Sequence, residues 1–224
     1  MLDKWTNAWV APVLARCAIG LGRRGVTPTQ LTVGGFAIGM LALPLLAYQA
    51  YGLALMAIVL NRVCDGLDGA LARHLQCQSD AGGFLDIALD FVFYAAVVLG
   101  FALADPAQNA LPAALLLFAF MGTGASFLAF AIAATRHGLE RPHFEHKAFY
   151  YLDGLTEGTE TIIAFVVFCL WPAYFPWLAG CFALACLLTA AMRIGGGYRA
   201  LSSAEGGSGG SFAKGADASR DEPR

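Results

Sequence analysis

The sequence predicts an all-α integral membrane protein, with six transmembrane helices preceded by an amphipathic interfacial helix. Three observations predict it. Of 224 residues, 58% are hydrophobic and only 13% charged, with a mean hydropathy of +0.62, whereas an average soluble domain has about 25% charged residues. Apolar stretches close to the ~20 residues that a bilayer-crossing helix needs recur along the chain. The basic residues between them fall on alternate connections. So little polar surface cannot solvate a globule of this size, which excludes a soluble enzyme and a disordered regulator. The net charge of −2 offers no basic footprint, so no nucleic-acid partner is expected.

Residues 1–25 mix Trp5, Trp9, Val10, Val13 and Leu14 with Lys4, Arg16, Arg23 and Arg24. That pattern suits a juxtamembrane helix lying in the interface, and it lacks the apolar core and small-residue cleavage site of a signal peptide. Membrane spans are expected near 30–49, 51–72, 83–104, 110–134, 155–171 and 175–192, within a domain covering 26–194. The fifth carries Glu157 and Glu160 in its first turns. Trp171, Tyr174, Phe175 and Trp177 read as an aromatic belt at an outer turn. Beyond Gly195 the Gly/Ser-rich composition predicts a flexible cytoplasmic tail over 195–224.

With six spans, the Lys and Arg residues outside the spans all fall on one side, and the opposite connections hold none. The positive-inside rule then places both termini in the cytoplasm. Arg62 is the exception, since it lies inside the second span. The six cysteines show no metal-ligand spacing and read as small hydrophobes.

Five of the sixteen acids crowd into positions 65–90. Asp65 and Asp68 are i,i+3 neighbours and Asp86 and Asp90 are i,i+4 neighbours, so each pair shares a helix face. The short link through Gly82 makes the two helices antiparallel, which lets the pairs face each other near the cytoplasmic end. Four carboxylates in a low-dielectric setting need a counter-charge. A hard divalent cation supplies it, Mg²⁺ or Mn²⁺ by the all-oxygen donor set, and two ions about 3.5–4 Å apart would fit. Gly69 and Ala72 admit two readings at this point: room for a ligand, or close packing of small residues between helices.

The spacing D-x2-D-G-x2-A-R-x8-G-x3-D-x3-D over Asp65–Asp90 resembles the signature of the CDP-alcohol phosphotransferase (phosphatidyltransferase) family at every fixed position. The run Thr27-Pro28-Thr29-Gln30-Leu31-Thr32 is similar to that family's Thr-Pro-Asn-x-x-Thr segment at the start of the first span, with Thr29 in place of Asn. The resemblance implies that Asp65, Asp68 and Asp86 are metal ligands. It implies that Asp90 is the general base for the acceptor hydroxyl and a further contact to metal. Gly69 and Ala72 would line the cytidine site, Arg73 would bind the diphosphate, and Thr32 would belong to the same binding site. The implied reaction is Mg-dependent transfer of a phosphatidyl group from a CDP-linked lipid, CDP-diacylglycerol, to a small polar alcohol with release of CMP. The reverse assignment, a soluble CDP-alcohol with diacylglycerol as acceptor, uses the same motif. The family also implies a homodimer in a bacterial inner membrane.

Other polar residues carry less. Asp80 reads as solvated or as a cap of the third span. Arg62, one turn before Asp65, either pairs with a carboxylate for stability or reaches toward phosphate. The loop 136–147, with His137, His143 and His146 beside Arg136, Arg141 and Lys147, reads as solvated, or as an anion pocket for a phosphorylated acceptor. Glu157 and Glu160 either contact the acceptor or cap a helix at its positive end. A cation-coupled transporter would also explain intramembrane acids, but it would favour two related halves, and no second half echoes the acidic segment.

Overall fold

The structure, a computed structural model, describes residues 3–136, 156 and 158–215, and the side chains of 12–135, 156 and 158–203. Every regular element in it is helical. Helix α1 spans Asp3–Arg23. It stops where Gly25 takes a φ of 74°, while Val26 N–H donates to the Leu21 carbonyl and Gly25 N–H to that of Gly22. This Schellman motif needs a left-handed residue at Gly25, the conformation glycine adopts without strain.

Helix α2 (Pro28–Met40) begins in a capping box. Gln30 N–H donates to Thr27 Oγ1 at 3.3 Å, and Thr27 N–H donates to Gln30 Oε1 at 3.0 Å; Pro28 occupies the first helical position, where its missing N–H costs nothing. The Thr-Pro-x-Gln run is thus a helix start in its own right. A single helix is expected over 30–49, but the chain breaks at Leu41 and resumes as α3 (Ala42–Ala47). Pro44 explains the break: it has no N–H for the Met40 carbonyl and its ring crowds that oxygen.

Helix α4 (Tyr51–His74) and helix α5 (Asp80–Ala104) follow. Gln76 closes α4 at a φ of 52°, with Cys77 N–H donating to the Ala72 carbonyl and Gln76 N–H to that of Arg73. This second Schellman motif reverses the chain. Ser79, not Asp80, caps α5 by accepting from Gly82 N–H at 3.1 Å; Asp80 stands exposed in the first turn, where its charge suits the helix dipole. Helices α6 (Pro106–Arg136), α7 (Gly158–Leu170) and α8 (Phe175–Gly215) complete the bundle, α7 and α8 being joined through a 3-10 turn at Pro172–Tyr174.

Four segments are long and apolar enough to cross a membrane: Pro28–Ala47, Asp80–Ala104, Pro106–Thr135 and Pro172–Ser203. Helix α4 is long enough at 24 residues, but Arg62, Asp65, Asp68 and Arg73 interrupt its apolar character. The 13 described residues of α7 rise only about 20 Å at 1.5 Å per residue. Helix α8 runs past Gly195, where the composition predicts a tail. A side chain at Gly197 would stand 3.1 Å from the Phe130 ring of α6, so small residues there allow the two helices to stay close.

The main core is rich in aromatic rings and reaches the acidic cluster through Phe93, whose ring lies 5.3 Å from the Arg62 guanidinium. Phe101 stacks on Phe175 at 4.5 Å between centroids, and Phe168 meets both edge-on. These contacts tie α5, α7 and the start of α8 together. A smaller cluster of Ala18, Ala70 and Leu71, with Leu14 against it, fixes α1 to the charged half of α4.

Candidate active site

Two glycines let α2 and α4 approach closely. A Cβ on Gly35 would stand 2.5 Å from Cys64 Cβ, and one on Gly39 would stand 2.9 Å from the Asn61 side chain. Buried Asn61 donates through Nδ2 to the Gly35 carbonyl at 3.0 Å. This contact sets α2 against the segment of α4 that carries Asp65 and Asp68. The same approach brings Thr32 Oγ1 within 2.6 Å of Asp68 Oδ2, to which it donates a hydrogen bond.

The reversal at Gln76 runs α5 antiparallel to α4, as the short link predicts. Asp65 and Asp68 of α4 and Asp86 of α5 each present an oxygen, and the three oxygens lie within 4.8 Å of one another. Asp68 is buried at 7% exposure, while Asp65 and Asp86 are half-buried. They open into a narrow cleft that Thr32, Asn61, Arg62 and Asp90 also line. Three carboxylates this close repel one another and lose solvation, so the donor set fits a hard divalent cation with oxygen ligands.

Asp90 lies in the same cleft but is engaged differently. Its two oxygens receive the two terminal nitrogens of Arg62, one of them at 3.2 Å, and Tyr94 Oη donates to Oδ2 at 3.3 Å. Arg62 also reaches Asp65 Oδ2 at 3.4 Å, and its Nε donates to Asn61 Oδ1 at 2.9 Å. Arg62 therefore pairs with two carboxylates of the site. Gly69, Ala72 and Arg73 continue along α4 beyond the cleft lining. Arg73 is exposed and lies over Gly69: a Cβ there would be 3.4 Å from Arg73 Nη1.

Tyr94 and Asn61 are not singled out by the sequence reading, yet both hold site residues. Tyr94 stands four residues after Asp90, hence on the same helix face. Asn61 is a polar side chain inside an apolar run, a costly placement unless it bonds something. Glu160 is half-buried in the first turn of α7. Residues 137–155 and Glu157, including the histidine loop, lie outside the described residues.

A sequence model of the CDP-alcohol phosphatidyltransferase family matches residues 25–192. The inner membrane protein YnjF of Escherichia coli strain K12 is 55% identical over 203 residues, which cover 91% of this chain and 98% of that protein. Among solved structures, the phosphatidylinositol phosphate synthase of Mycobacterium tuberculosis with CDP-DAG bound superposes with a TM-score of 0.62 at 21% identity, covering 84% of this chain and 94% of that one. The same enzyme in complex with manganese and citrate gives a TM-score of 0.61 at 21% identity, over 83% and 88% of the two chains. These structures share the fold; the family model reaches the acidic motif itself, and with it this chain belongs to the CDP-alcohol phosphatidyltransferase family, membrane transferases of substituted phosphate groups.

Proposed function

We propose that the protein moves a phosphatidyl group from CDP-diacylglycerol to the hydroxyl of a small polar alcohol and releases CMP, a step of phospholipid biosynthesis. The observation that carries this reading is the meeting of Asp65, Asp68 and Asp86 within 4.8 Å, on two helices and on the family's spacing. CDP-DAG bound to the mycobacterial synthase supports the choice of donor.

In this reading Asp65, Asp68 and Asp86 hold Mg²⁺ or Mn²⁺, and the manganese in the mycobacterial synthase supports that choice of metal. When bound, a divalent ion neutralises the diphosphate and the charge that grows on departing CMP. Thr32 fixes the orientation of Asp68. Arg73 binds the diphosphate with its planar donor fork, and Gly69 and Ala72 leave room for cytidine. Asp90 takes the acceptor proton as the hydroxyl oxygen bonds to the phosphorus distal to cytidine and the bond from that phosphorus to the CMP oxygen breaks. A carboxylate offers about four lone-pair positions, so Asp90 keeps one for this proton beside its bonds to Arg62 and Tyr94.

The topology we infer adds α4 and α7 to the four apolar segments, giving six spans, with α1 in the interface and residues 195–224 as a cytoplasmic tail. The one-sided distribution of Lys and Arg supports cytoplasmic termini and a cytoplasmic site. The Escherichia coli relative supports a bacterial inner membrane. Acyl chains of the donor then stay in lipid while the alcohol arrives from water. A homodimer is part of the same reading.

The test is CMP release by detergent-purified protein given radiolabelled CDP-diacylglycerol, Mg²⁺ and single alcohols, beside an Asp90→Asn control. Alcohol-dependent release that chelation and the substitution both abolish is the expected result. Reaction only with CDP-choline or CDP-ethanolamine and diacylglycerol would reverse donor and acceptor. Silence in both formats from folded protein would remove the reading.

A further inference from the structure

Four carboxylates meet at the site, but only three of them converge. Asp65, Asp68 and Asp86 form the 4.8 Å triad, whereas Asp90 is gripped by Arg62 through both of its oxygens. We propose that Arg62 is a built-in cation that takes the place of a second divalent ion at Asp90, so that the chain holds one divalent ion on Asp65, Asp68 and Asp86. This inference rests on the metal reading above and departs from the two ions that four carboxylates alone suggest.

The guanidinium is held on every side, which distinguishes it from a passing surface ion pair. Its Nε donates to Asn61, and Asn61 is itself tied to the α2 backbone at Gly35. Nη1 reaches Asp65, Asp90 and Tyr94 Oη, at 3.4, 3.2 and 3.5 Å. The rings of Phe93 and Tyr94 stand 5.3 and 5.7 Å from its central carbon, in the range of cation–π attraction. The Arg62 side chain is 17% exposed. A fork-to-fork pair of this kind has both geometric specificity and charge-assisted strength.

A dication at Asp90 would have to displace this cation or sit against it in a setting of low dielectric, where like charges repel strongly. Displacement would also cost the guanidinium its two-oxygen partner and leave it only the longer contact to Asp65 at 3.4 Å, a poorer match for a largely buried charge. Arg62 neutralises Asp90 within the pair and leaves three carboxylates for one dication. It acts as a positioning residue as well: the bidentate grip and the Tyr94 hydroxyl hold the Asp90 carboxylate plane on the cleft.

The experiment is a titration of the purified full chain in detergent with Mn²⁺, without nucleotide, reading free Mn²⁺ by electron paramagnetic resonance. One ion per wild-type chain is expected, none in Asp86→Asn and two in Arg62→Gln, whose fold is checked by circular dichroism and gel filtration. Two ions in the wild type would overturn the inference while leaving the metal reading in place. A count that stays at one in folded Arg62→Gln would overturn it too, since Arg62 would not be what excludes the second ion. No bound ion in the wild type would remove the metal reading, and this inference with it. Should Arg62→Gln not fold, the wild-type count of one or two decides alone.

Discussion

Thr32, one turn into α2, donates a 2.6 Å hydrogen bond to Asp68 of α4. The Pro28 carbonyl lies 3.1 Å from the same hydroxyl, but one proton serves one acceptor at a time and the carboxylate is the stronger. The bond joins the capped start of α2 to the most buried acid of the proposed metal site. Thr32→Val keeps the shape and removes the donor. Loss of an outer partner to a ligand costs about 10–100-fold in metal affinity, and that loss is expected in Mn²⁺ binding. Thr32→Ser restores most of it; equal binding by the valine variant would show that Asp68 needs no such partner.

Gly35→Ala tests whether close approach of α2 and α4 builds the site. Its Cβ would stand 2.5 Å from Cys64 Cβ, a contact no flexible side-chain end can relieve. Overpacking of this kind costs about 1–3 kcal/mol, so a thermal midpoint several degrees lower is expected, with weaker Mn²⁺ binding because Thr32 moves with α2. Gly34 is the control: nothing lies within 4 Å of its added Cβ, and Gly34→Ala is expected to keep or raise the midpoint.

Four apolar segments and the acidic pairs were legible because both follow from local rules: apolar length for the segments, and i,i+3 and i,i+4 spacing for the faces. The break at Leu41 was legible too, in Pro44, but its signal sits three residues beyond the break and competes with a continuous apolar run. The different states of Asp86 and Asp90 were not legible. Both stand on one face of α5, and only the reach of Arg62 from α4 separates them, a tertiary fact with no sequence period. Beyond Gly195 the Gly/Ser-rich composition predicts a flexible tail, whereas α8 continues as a helix to Gly215.

Gln76 is a residue with a β-carbon in the left-handed region, at a φ of 52°, where such residues carry about 1–2 kcal/mol of strain. Its side chain is exposed. Gln76→Gly relieves the strain, while glycine's greater freedom in the unfolded chain returns part of it. A net gain of about 0.5–1 kcal/mol is expected from these two opposing terms, seen as a small rise in thermal midpoint. A fall in midpoint would show that the turn between α4 and α5 does not limit stability.

Gly69 separates binding from folding. An added Cβ would meet only the mobile end of Arg73, at 3.4 Å, and alanine is the better helix former by roughly 0.5–1 kcal/mol. Gly69→Ala is therefore expected to keep or raise the thermal midpoint. If Gly69 lines the cytidine site beside Arg73, the same methyl group intrudes where the nucleotide must lie. Overpacking a fitted site by about 1–3 kcal/mol raises KM for CDP-diacylglycerol about tenfold or more, and Gly69→Val raises it further. CMP-release kinetics over a range of donor concentrations read this directly. A variant that is more stable and equally active would assign Gly69 to helix packing and move the nucleotide elsewhere, whereas a stable variant with a raised KM ties the glycine to the ligand.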